Sequence, residues 1–175
     1  SRVRTQTDSR KSKRDFDLRK MIIYLGSDHA GFALKEHIKG FLKNQNFTVR
    51  DEGAFKMDPA DDYPDFIKVV AKQVGSDPDN SRGIIFGASG EGEAIAANRF
   101  PGVRACVYYG GTEEVITLSR VHNNANILSI GARFVDWATA ERIIKLWLNI
   151  EFPGEERHLR RIKKIDSENR ELADF

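Results

Sequence analysis

From Met21 onward, short apolar runs of strand length alternate with longer stretches that have a helical period. In the first helical stretch the apolar residues recur every three or four positions, so that Leu34, Ile38 and Leu42 share one face. The pattern predicts strands at 22–26, 47–51, 83–87, 103–108 and 126–130, and helices at 33–44, 64–75, 91–99, 112–121 and 136–149. Buried strands that alternate with helices are typical of a parallel sheet with helices on both faces.

The expected fold class is therefore α/β, a three-layer α/β/α arrangement around a doubly wound, parallel, five-stranded sheet. In such sheets ligands bind beyond the carboxyl ends of the strands. Asp28 and His29 follow the first predicted strand, and a glycine-rich loop follows the third. We therefore expect the functional site at this edge of the sheet.

The glycine-rich segment 87–98, GASGEGEAIAAN, leads from a predicted strand into a predicted helix. Glycine permits close approach of a ligand, and the N–H groups at a helix N-terminus attract an oxyanion or a phosphate. The candidate substrate contacts in this loop are Gly87, Ala88, Ser89, Gly90, Glu91 and Gly92. Glu93 falls in the first helical turn, where its carboxylate is suited to act as a base. The pattern fits a tight turn with a solvated glutamate equally well, with Ser89 as the helix N-cap.

Charge is unevenly distributed along the chain. Residues 1–20 hold eight Lys and Arg against three Asp, whereas residues 21–175 hold 20 basic and 23 acidic residues. We interpret residues 1–20 as a disordered tail or an expression remnant, and residues 21–175 as one domain with a charged C-terminal helical extension. The mildly acidic domain argues against a nucleic acid partner, and no apolar run has the length of a membrane span. The single cysteine, Cys106, excludes an intrachain disulfide and indicates a reducing, cytoplasmic location.

Six short motifs are spaced along the chain from Met21 to Ile165: Gly26-Ser-Asp-His-Ala-Gly-Phe, Asp62-Tyr-Pro-Asp, GASGEGEAIAAN, Arg120-Val-His-Asn-Asn-Ala, Gly131-Ala-Arg and Arg157-His-Leu-Arg-Arg. Their order resembles the type B ribose-5-phosphate isomerase family, which also includes galactose-6-phosphate and allose-6-phosphate isomerases. The resemblance implies an aldose–ketose isomerase with a flavodoxin-like or Rossmann-like sheet, no metal and no cofactor. It also implies a homodimer with shared active sites, and leaves open whether dimers pair into tetramers.

The family that the chain resembles has two branches, which differ in the catalytic base. Many members have a cysteine base where this chain has Gly87, so the chain resembles the branch in which a glutamate, here Glu93, takes the proton. Cys106 lies in the apolar run Ala105-Cys-Val-Tyr and is expected to be a small core residue. We expect the helix N-terminus to favour the ionised form of Glu93, which would then be a competent base at neutral pH.

The resemblance assigns sugar ring opening to His122, which is followed by Asn123 in the same motif. Asp28 is the expected partner of a substrate hydroxyl, with a helix N-cap as its other interpretation. His29, in the same turn, contacts the phosphate or caps the helix.

Three arginines are candidate phosphate ligands, because the guanidinium group is a planar fork that matches a phosphate. Arg133 follows the fifth predicted strand. Arg157 and Arg161 are four residues apart, so a helix presents them on one face. From the charge pattern alone, this helix face would be an ordinary solvent-exposed surface. The match of Arg157-His-Leu-Arg-Arg to the family motif favours phosphate binding instead.

The sequence thus predicts interconversion of ribose 5-phosphate and ribulose 5-phosphate through an enediolate, with Glu93 as base and His122 opening the ring. An isomerase of allose 6-phosphate or galactose 6-phosphate is an alternative, since one extra hydroxymethylene changes binding by only about 1–3 kcal/mol. A non-catalytic protein that binds a sugar phosphate is a second alternative. A dinucleotide-binding domain fits less well, because Ile95 stands where that fingerprint has its third glycine.

Overall fold

The computed structural model describes the backbone of residues 20–171 and the side chains as far as Ser167. Except for Lys20, the predicted tail at 1–20 lies outside the described residues, as do residues 172–175. The elements in chain order are β1 Ile22–Ser27, α1 Phe32–Asn44, β2 Thr48–Asp51, α2 Tyr63–Ser76, β3 Ser81–Gly87, α3 Glu91–Ala97, β4 Ala105–Tyr108, α4 Glu114–Asn123, β5 Ile127–Gly131, α5 Trp137–Asn149 and α6 Glu156–Glu171. Within the described residues no helix is both long and apolar enough to span a membrane.

The five strands form one sheet in the order β2-β1-β3-β5-β4, and every neighbouring pair is parallel. The predicted three-layer α/β/α fold is confirmed. Compared with the flavodoxin order, the last two strands have exchanged places, so that β5 lies between β3 and β4. Gly87 at the end of β3 therefore pairs with Gly131 at the end of β5. This order brings the segments that follow β1, β3 and β5 together at one edge of the sheet.

Helices cover both faces of the sheet and close two apolar cores. One core packs α1, α4 and α5 on the sheet and contains Ile38 and Trp147, both fully buried. The other packs α2 and α3 on the opposite face and contains Ile67 and Val74. The central strand β3 supplies side chains to both cores, Ile84 and Phe86 to the first and Ile85 to the second.

The structure changes several predicted boundaries by about two residues, and one change concerns the site. Helix α4 continues to Asn123 rather than ending at residue 121, so His122 and Asn123 belong to its last turn. It ends because Asn124 adopts a left-handed conformation, with a φ of 44°, and its N–H bonds to the carbonyl of Arg120. His122 is therefore held by a regular helix end.

Candidate active site

Asp28 begins the turn that leads from β1 into α1. Its side chain is buried, and Oδ1 accepts hydrogen bonds from the N–H of Ala30 at 2.9 Å and of Gly31 at 3.2 Å. These bonds shape the turn before the helix, while Gly31 itself holds the N-cap position of α1. One oxygen of Asp28 is thus fixed by the backbone, and Oδ2 lies 3.9 Å from Nδ1 of His29.

His29 is clamped by a carboxylate that the sequence reasoning did not select, that of Asp61. Oδ1 of Asp61 accepts from the backbone N–H of His29 at 3.0 Å and lies 2.6 Å from its Nδ1. The hydrogen bond to Asp61 raises the pKa of His29, and the negative charge of Asp28 adds to the rise. The neighbours of His29, which is expected to meet phosphate, therefore favour the protonated form of its ring.

Among the described residues, Asp28, His29 and Asp61 have donor atoms within 4.8 Å of one another, close enough to share a metal ion. Nδ1 of His29 is already paired with Asp61, and one oxygen of Asp28 serves the backbone turn. We therefore assign these three side chains a hydrogen-bonding role and place no ion among them.

The glycine loop between β3 and α3 is anchored to β5. The hydroxyl of Ser129 donates to the carbonyl of Gly90 at 2.6 Å, and the N–H of Arg133 donates to the carbonyl of Ala88 at 3.1 Å. Gly90 has a φ of +83°, a left-handed conformation that glycine adopts without strain. These contacts hold the loop at the carboxyl edge of the sheet and place the exposed Arg133 beside it.

Gly87 makes room for Glu93. The Glu93 side chain is only 4% exposed. Its carboxylate fills the space that a Cβ on residue 87 would occupy, so that such a Cβ would overlap both oxygens and Cδ. Gly87 therefore accommodates the carboxylate, and its contact with substrate stays a prediction. A side chain at position 87 and the observed position of Glu93 exclude each other.

The helix N-terminus lowers the pKa of Glu93 as expected, but it does not determine the net shift. Burial raises the pKa of Glu93 above its ordinary value, and the charge of Asp28 raises it further. The backbone N–H of Glu93 itself works in the opposite direction but is outweighed. Desolvation dominates because the carboxylate is nearly enclosed, whereas α3 is only seven residues long. A carboxylate with a raised pKa is a stronger base when it is ionised.

The other loop residues have structural contacts of their own. The hydroxyl of Ser89 accepts from the N–H of Glu91 at 3.3 Å, but Gly90 rather than Ser89 holds the N-cap position of α3. The Glu91 side chain is exposed. Gly92 lies against the ring of Tyr63, and a Cβ there would come within 2.9 Å of the phenol oxygen. Contacts of these residues with a substrate stay a prediction.

His122 lies at the opposite end of the sheet from Glu93. Helix α4 connects the carboxyl end of β4 to the amino end of the parallel strand β5, so it runs antiparallel to both strands. Its last turn, with His122, therefore lies where β5 begins, whereas Glu93 lies beyond the end of β3. The four residue steps from Ile127 to Gly131 span about 13 Å. Within one chain these two predicted catalytic groups do not meet.

His122 instead borders a cavity of about 380 Å³, which we call the histidine cavity; its lining includes His122, Asn123, Cys106, His158 and Arg161. His158 stacks on His122 with ring centroids 4.4 Å apart, and its buried Nε2 makes no hydrogen bond. Burial lowers the pKa of His158, and the neighbouring His122 contributes to this shift. Cys106 is half-buried at the cavity wall rather than inside the core as expected, although burial raises the pKa of its thiol.

The two arginines of α6 lie beside the same histidines. Arg161 lines the histidine cavity, and Arg157 is exposed with its Nε 3.1 Å from a carboxylate oxygen of Glu155. The positive charges of both arginines lower the pKa of His158. The predicted residues thus form two groups: a carboxyl-edge group around Asp28, Glu93 and Arg133, and the histidine cavity.

A family model described as Ribose/Galactose Isomerase matches residues 23–165. The chain belongs to this family. The match includes both groups of site residues, from Asp28 to Arg161, and stops short of the chain termini.

Curated relatives and solved structures agree with the family match. Ribose-5-phosphate isomerase B of Mycolicibacterium paratuberculosis is 43% identical over 81% of this chain and 87% of its own length. The Escherichia coli enzyme of the same name is 37% identical over 82% of this chain and 93% of its own length. The crystal structure of ribose-5-phosphate isomerase B from Mycoplasma genitalium with bound ribulose-5-phosphate matches with a TM-score of 0.81 and 38% identity, covering 86% of this chain and 97% of that chain.

Sequence reasoning missed three residues that build the two groups: Asp61, Ser129 and His158. Asp61 stands next to the Asp62-Tyr-Pro motif, and His158 stands between the two arginines of its own motif. Their presence in or beside these motifs was the available signal for these two. Ser129 had none, because it lies inside a strand that reads as apolar.

Proposed function

We propose that this chain is an aldose–ketose isomerase that interconverts ribose 5-phosphate and ribulose 5-phosphate. The observation that carries the proposal is the buried carboxylate of Glu93, held beside a glycine loop at the edge where doubly wound folds bind ligands. The relatives named above carry ribose-5-phosphate isomerase B as their name, and one of them was solved with bound ribulose-5-phosphate.

In the proposed reaction, Glu93 removes the proton on C2 of the open-chain aldose, which leaves an enediolate. The same carboxyl group then returns that proton to C1, while a proton moves from the C2 oxygen to the C1 oxygen, and the ketose results. A positioned base contributes about 10²–10⁴-fold to such a step. Backbone N–H groups of the loop and the hydroxyl of Ser89 are the proposed donors to the enediolate oxygens, and each such donor contributes roughly 10²–10³-fold.

We propose that each active site is shared by two subunits. One chain separates Glu93 from His122 by the length of its strands, so a site that uses both groups takes one of them from a neighbour. In a two-fold symmetric homodimer, the histidine cavity of one subunit faces the carboxyl-edge group of the other, and both sites are equivalent. His122 then opens the furanose ring, and Arg157 and Arg161 hold the phosphate from the partner's side.

Subunit mixing tests this arrangement. Glu93→Gln chains and His122→Asn chains, each nearly inactive alone, are mixed in equal amounts and allowed to exchange. Random exchange puts half of the chains into mixed dimers, in which one site collects both lesions and the other has none. About a quarter of all sites are then intact, so we expect about a quarter of the wild-type activity.

The matched control mixes His122→Asn chains with Arg157→Ala/Arg161→Ala chains. Both lesions then lie in the same group, so every site of a mixed dimer keeps one lesion and no activity returns. Mass-tagged subunits show that exchange has occurred. Absence of recovery in the first mixture after demonstrated exchange contradicts the shared site.

The substrate is tested by comparing kcat/KM for ribose 5-phosphate, allose 6-phosphate and galactose 6-phosphate on the purified protein. We expect the highest value for ribose 5-phosphate, and a higher value for a hexose phosphate would reassign the substrate within the family. Tight binding without turnover of any of the three identifies a sugar-phosphate-binding protein instead.

The proposal includes a cytoplasmic location, which the single free thiol, Cys106, supports.

A further inference from the structure

The clamp on His29 is the most fully built contact of the carboxyl-edge group that the proposed mechanism does not use. A single oxygen of Asp61 receives both the backbone N–H and the ring Nδ1 of His29, at 3.0 and 2.6 Å, across 32 positions of sequence. The Asp61 side chain is 9% exposed, whereas that of His29 is 36% exposed. The carboxylate is therefore fixed in the protein, and the imidazole keeps a solvent-facing part.

We propose that Asp61 is a positioning residue, which holds the His29 ring through Nδ1 and thereby makes Nε2–H a donor to the phosphate of the substrate. This inference rests on the proposed function, because it gives His29 a role in binding the same sugar phosphate. Asp61 itself does not touch the substrate.

The protonation of the ring decides whether this arrangement attracts or repels a phosphate. A neutral imidazole that donates from Nδ1 to Asp61 has a lone pair on Nε2, which faces an anionic oxygen unfavourably. A protonated ring donates from both nitrogens, and such charge-assisted bonds are the stronger kind. The hydrogen bond to Asp61 is the largest contribution to the raised pKa of His29, and the charges of Asp28 and Asp58 add to it against the opposing effect of desolvation. These groups come from the β1–α1 turn and from the loop before α2.

Asp61→Asn separates the charge of the carboxylate from its shape. The amide oxygen of asparagine still accepts the backbone N–H of His29, so the turn is kept, but the ring loses its anionic partner. The pKa of His29 then falls toward its ordinary value. At pH values between the His29 pKa of the variant and that of the wild type, the wild-type ring is mostly protonated and the variant ring is mostly neutral. In this pH range we expect KM for ribose 5-phosphate to be about tenfold higher in the variant, which corresponds to the loss of one charge-assisted hydrogen bond. The value of kcat at saturation stays within about twofold, because Glu93 is unchanged.

The pH dependence has a direction that a purely structural defect does not reproduce. Below both pKa values the ring is protonated in the two proteins, so the KM difference closes. It can reverse there, because the variant has lost one negative charge near the phosphate. Above both values neither ring is protonated, and the difference closes again. A loss of folding or of pocket shape raises KM at every pH.

Proton NMR titration of the imidazole signals measures the central step without any enzyme assay, and the chain has only four histidines to assign. The wild-type His29 must titrate above 6.5, and the Asp61→Asn signal must titrate lower. Asp62→Asn is the matched control, since it removes the same charge from the neighbouring exposed residue, which makes no cap hydrogen bond. It must leave the His29 titration and KM nearly unchanged.

A double-variant cycle with His29→Gln completes the test. If Asp61 acts through His29, adding Asp61→Asn to His29→Gln produces no further rise in KM. A wild-type His29 titrating at or below 6.5, an unshifted titration in Asp61→Asn, or a KM increase that is the same at all pH values overturns the proposal. If the protein lacks isomerase activity, the titrations are repeated with inorganic phosphate as the probe. A shifted His29 titration with stronger phosphate binding in the wild type then supports the positioning role while the proposed reaction fails.

Discussion

Replacing Gly87 by alanine tests whether the position of the Glu93 carboxylate is what makes this chain a catalyst. The added Cβ enters the space that Cδ and both oxygens of Glu93 fill. Gly87 ends strand β3 with an ordinary negative φ, so alanine meets no backbone strain there. The carboxylate, which is the end of a side chain with three rotatable bonds, has to withdraw.

The displacement can be worked out from ordinary contact distances. Carbon atoms that are not bonded to each other need about 3.5 Å, so the carboxyl group has to move by more than about 1 Å. A misplacement of this size costs about 10²-fold in rate, and complete loss of the base costs about 10²–10⁴-fold. We therefore expect kcat for ribose 5-phosphate to fall at least about 10²-fold, equivalent to about 2.7 kcal/mol of barrier. Overpacking at the same point destabilises the fold by about 1–3 kcal/mol.

Whether Gly87→Ala acts by displacing Glu93 is tested by steady-state isomerisation assays on four proteins: wild type, Gly87→Ala, Glu93→Gln and the double variant. If alanine acts only by displacing Glu93, the double variant is no slower than Glu93→Gln. Gly40→Ala is the matched control, because a Cβ there meets nothing within 4 Å, and it must keep wild-type kcat. Wild-type kcat in Gly87→Ala refutes the reasoning, and so does a further loss in the double variant, which would mean that alanine blocks the substrate instead.

Three further predictions concern the groups on either side of the proposed site. Glu93→Gln should lower kcat by about 10² or more and raise Tm at pH 7. The buried carboxylate has a raised pKa in the folded state, so its ionised form costs stability, and the Tm difference should close as pH falls below the ordinary glutamate value. His122→Asn should impair initial rates on ribose 5-phosphate far more than on the open-chain ribulose 5-phosphate. Cys106→Ser should keep most of the activity, and alkylation of Cys106 should be slow because burial raises the pKa of its thiol.

Each of these has an outcome that contradicts it. An unchanged or lower Tm for Glu93→Gln at pH 7 would show that the carboxylate is not desolvated at a cost. Equal losses of His122→Asn in both directions would assign that histidine a structural role. Rapid alkylation of Cys106, prevented by substrate, would make the thiol part of the reaction.

The alternation of apolar runs and helical stretches was sufficient to predict the layers of this fold and the edge at which Asp28 and Glu93 lie. The strand order was beyond such reasoning, because pairing between β3 and β5 joins segments that are about 40 residues apart and leaves no local pattern. The role of Gly87 was also beyond it, since a glycine before a helix reads as a turn or a ligand contact. Only the three-dimensional position of Glu93 shows what the missing side chain makes room for.

The direction of the pKa shift of Glu93 could not be predicted from the sequence for a different reason. Its place in the first turn of a helix is visible in the sequence, but its burial depends on the packing of α3 against the sheet, and the charge of Asp28 acts on it from another strand end. The stacking of His122 on His158 joins two helices that are far apart in the chain, and the clamp of Asp61 on His29 joins the turn after β1 to the loop before α2. Local patterns predict elements and motif positions, whereas desolvation and long-range contacts require the folded coordinates.

The separation of Glu93 from His122 follows from the architecture rather than from details of side-chain packing. In a parallel sheet every connecting helix runs back from the carboxyl edge to the amino edge, so a residue in the last turn of such a helix lies away from the ligand-binding edge of its own chain. His122 holds that position in α4, and α6 packs against α4 and adds Arg161 to the same cavity. A base at the carboxyl edge and a ring-opening histidine at the amino edge can cooperate only across an interface. For this fold, association is therefore a condition of the proposed chemistry, and isolated monomers should not turn over ribose 5-phosphate.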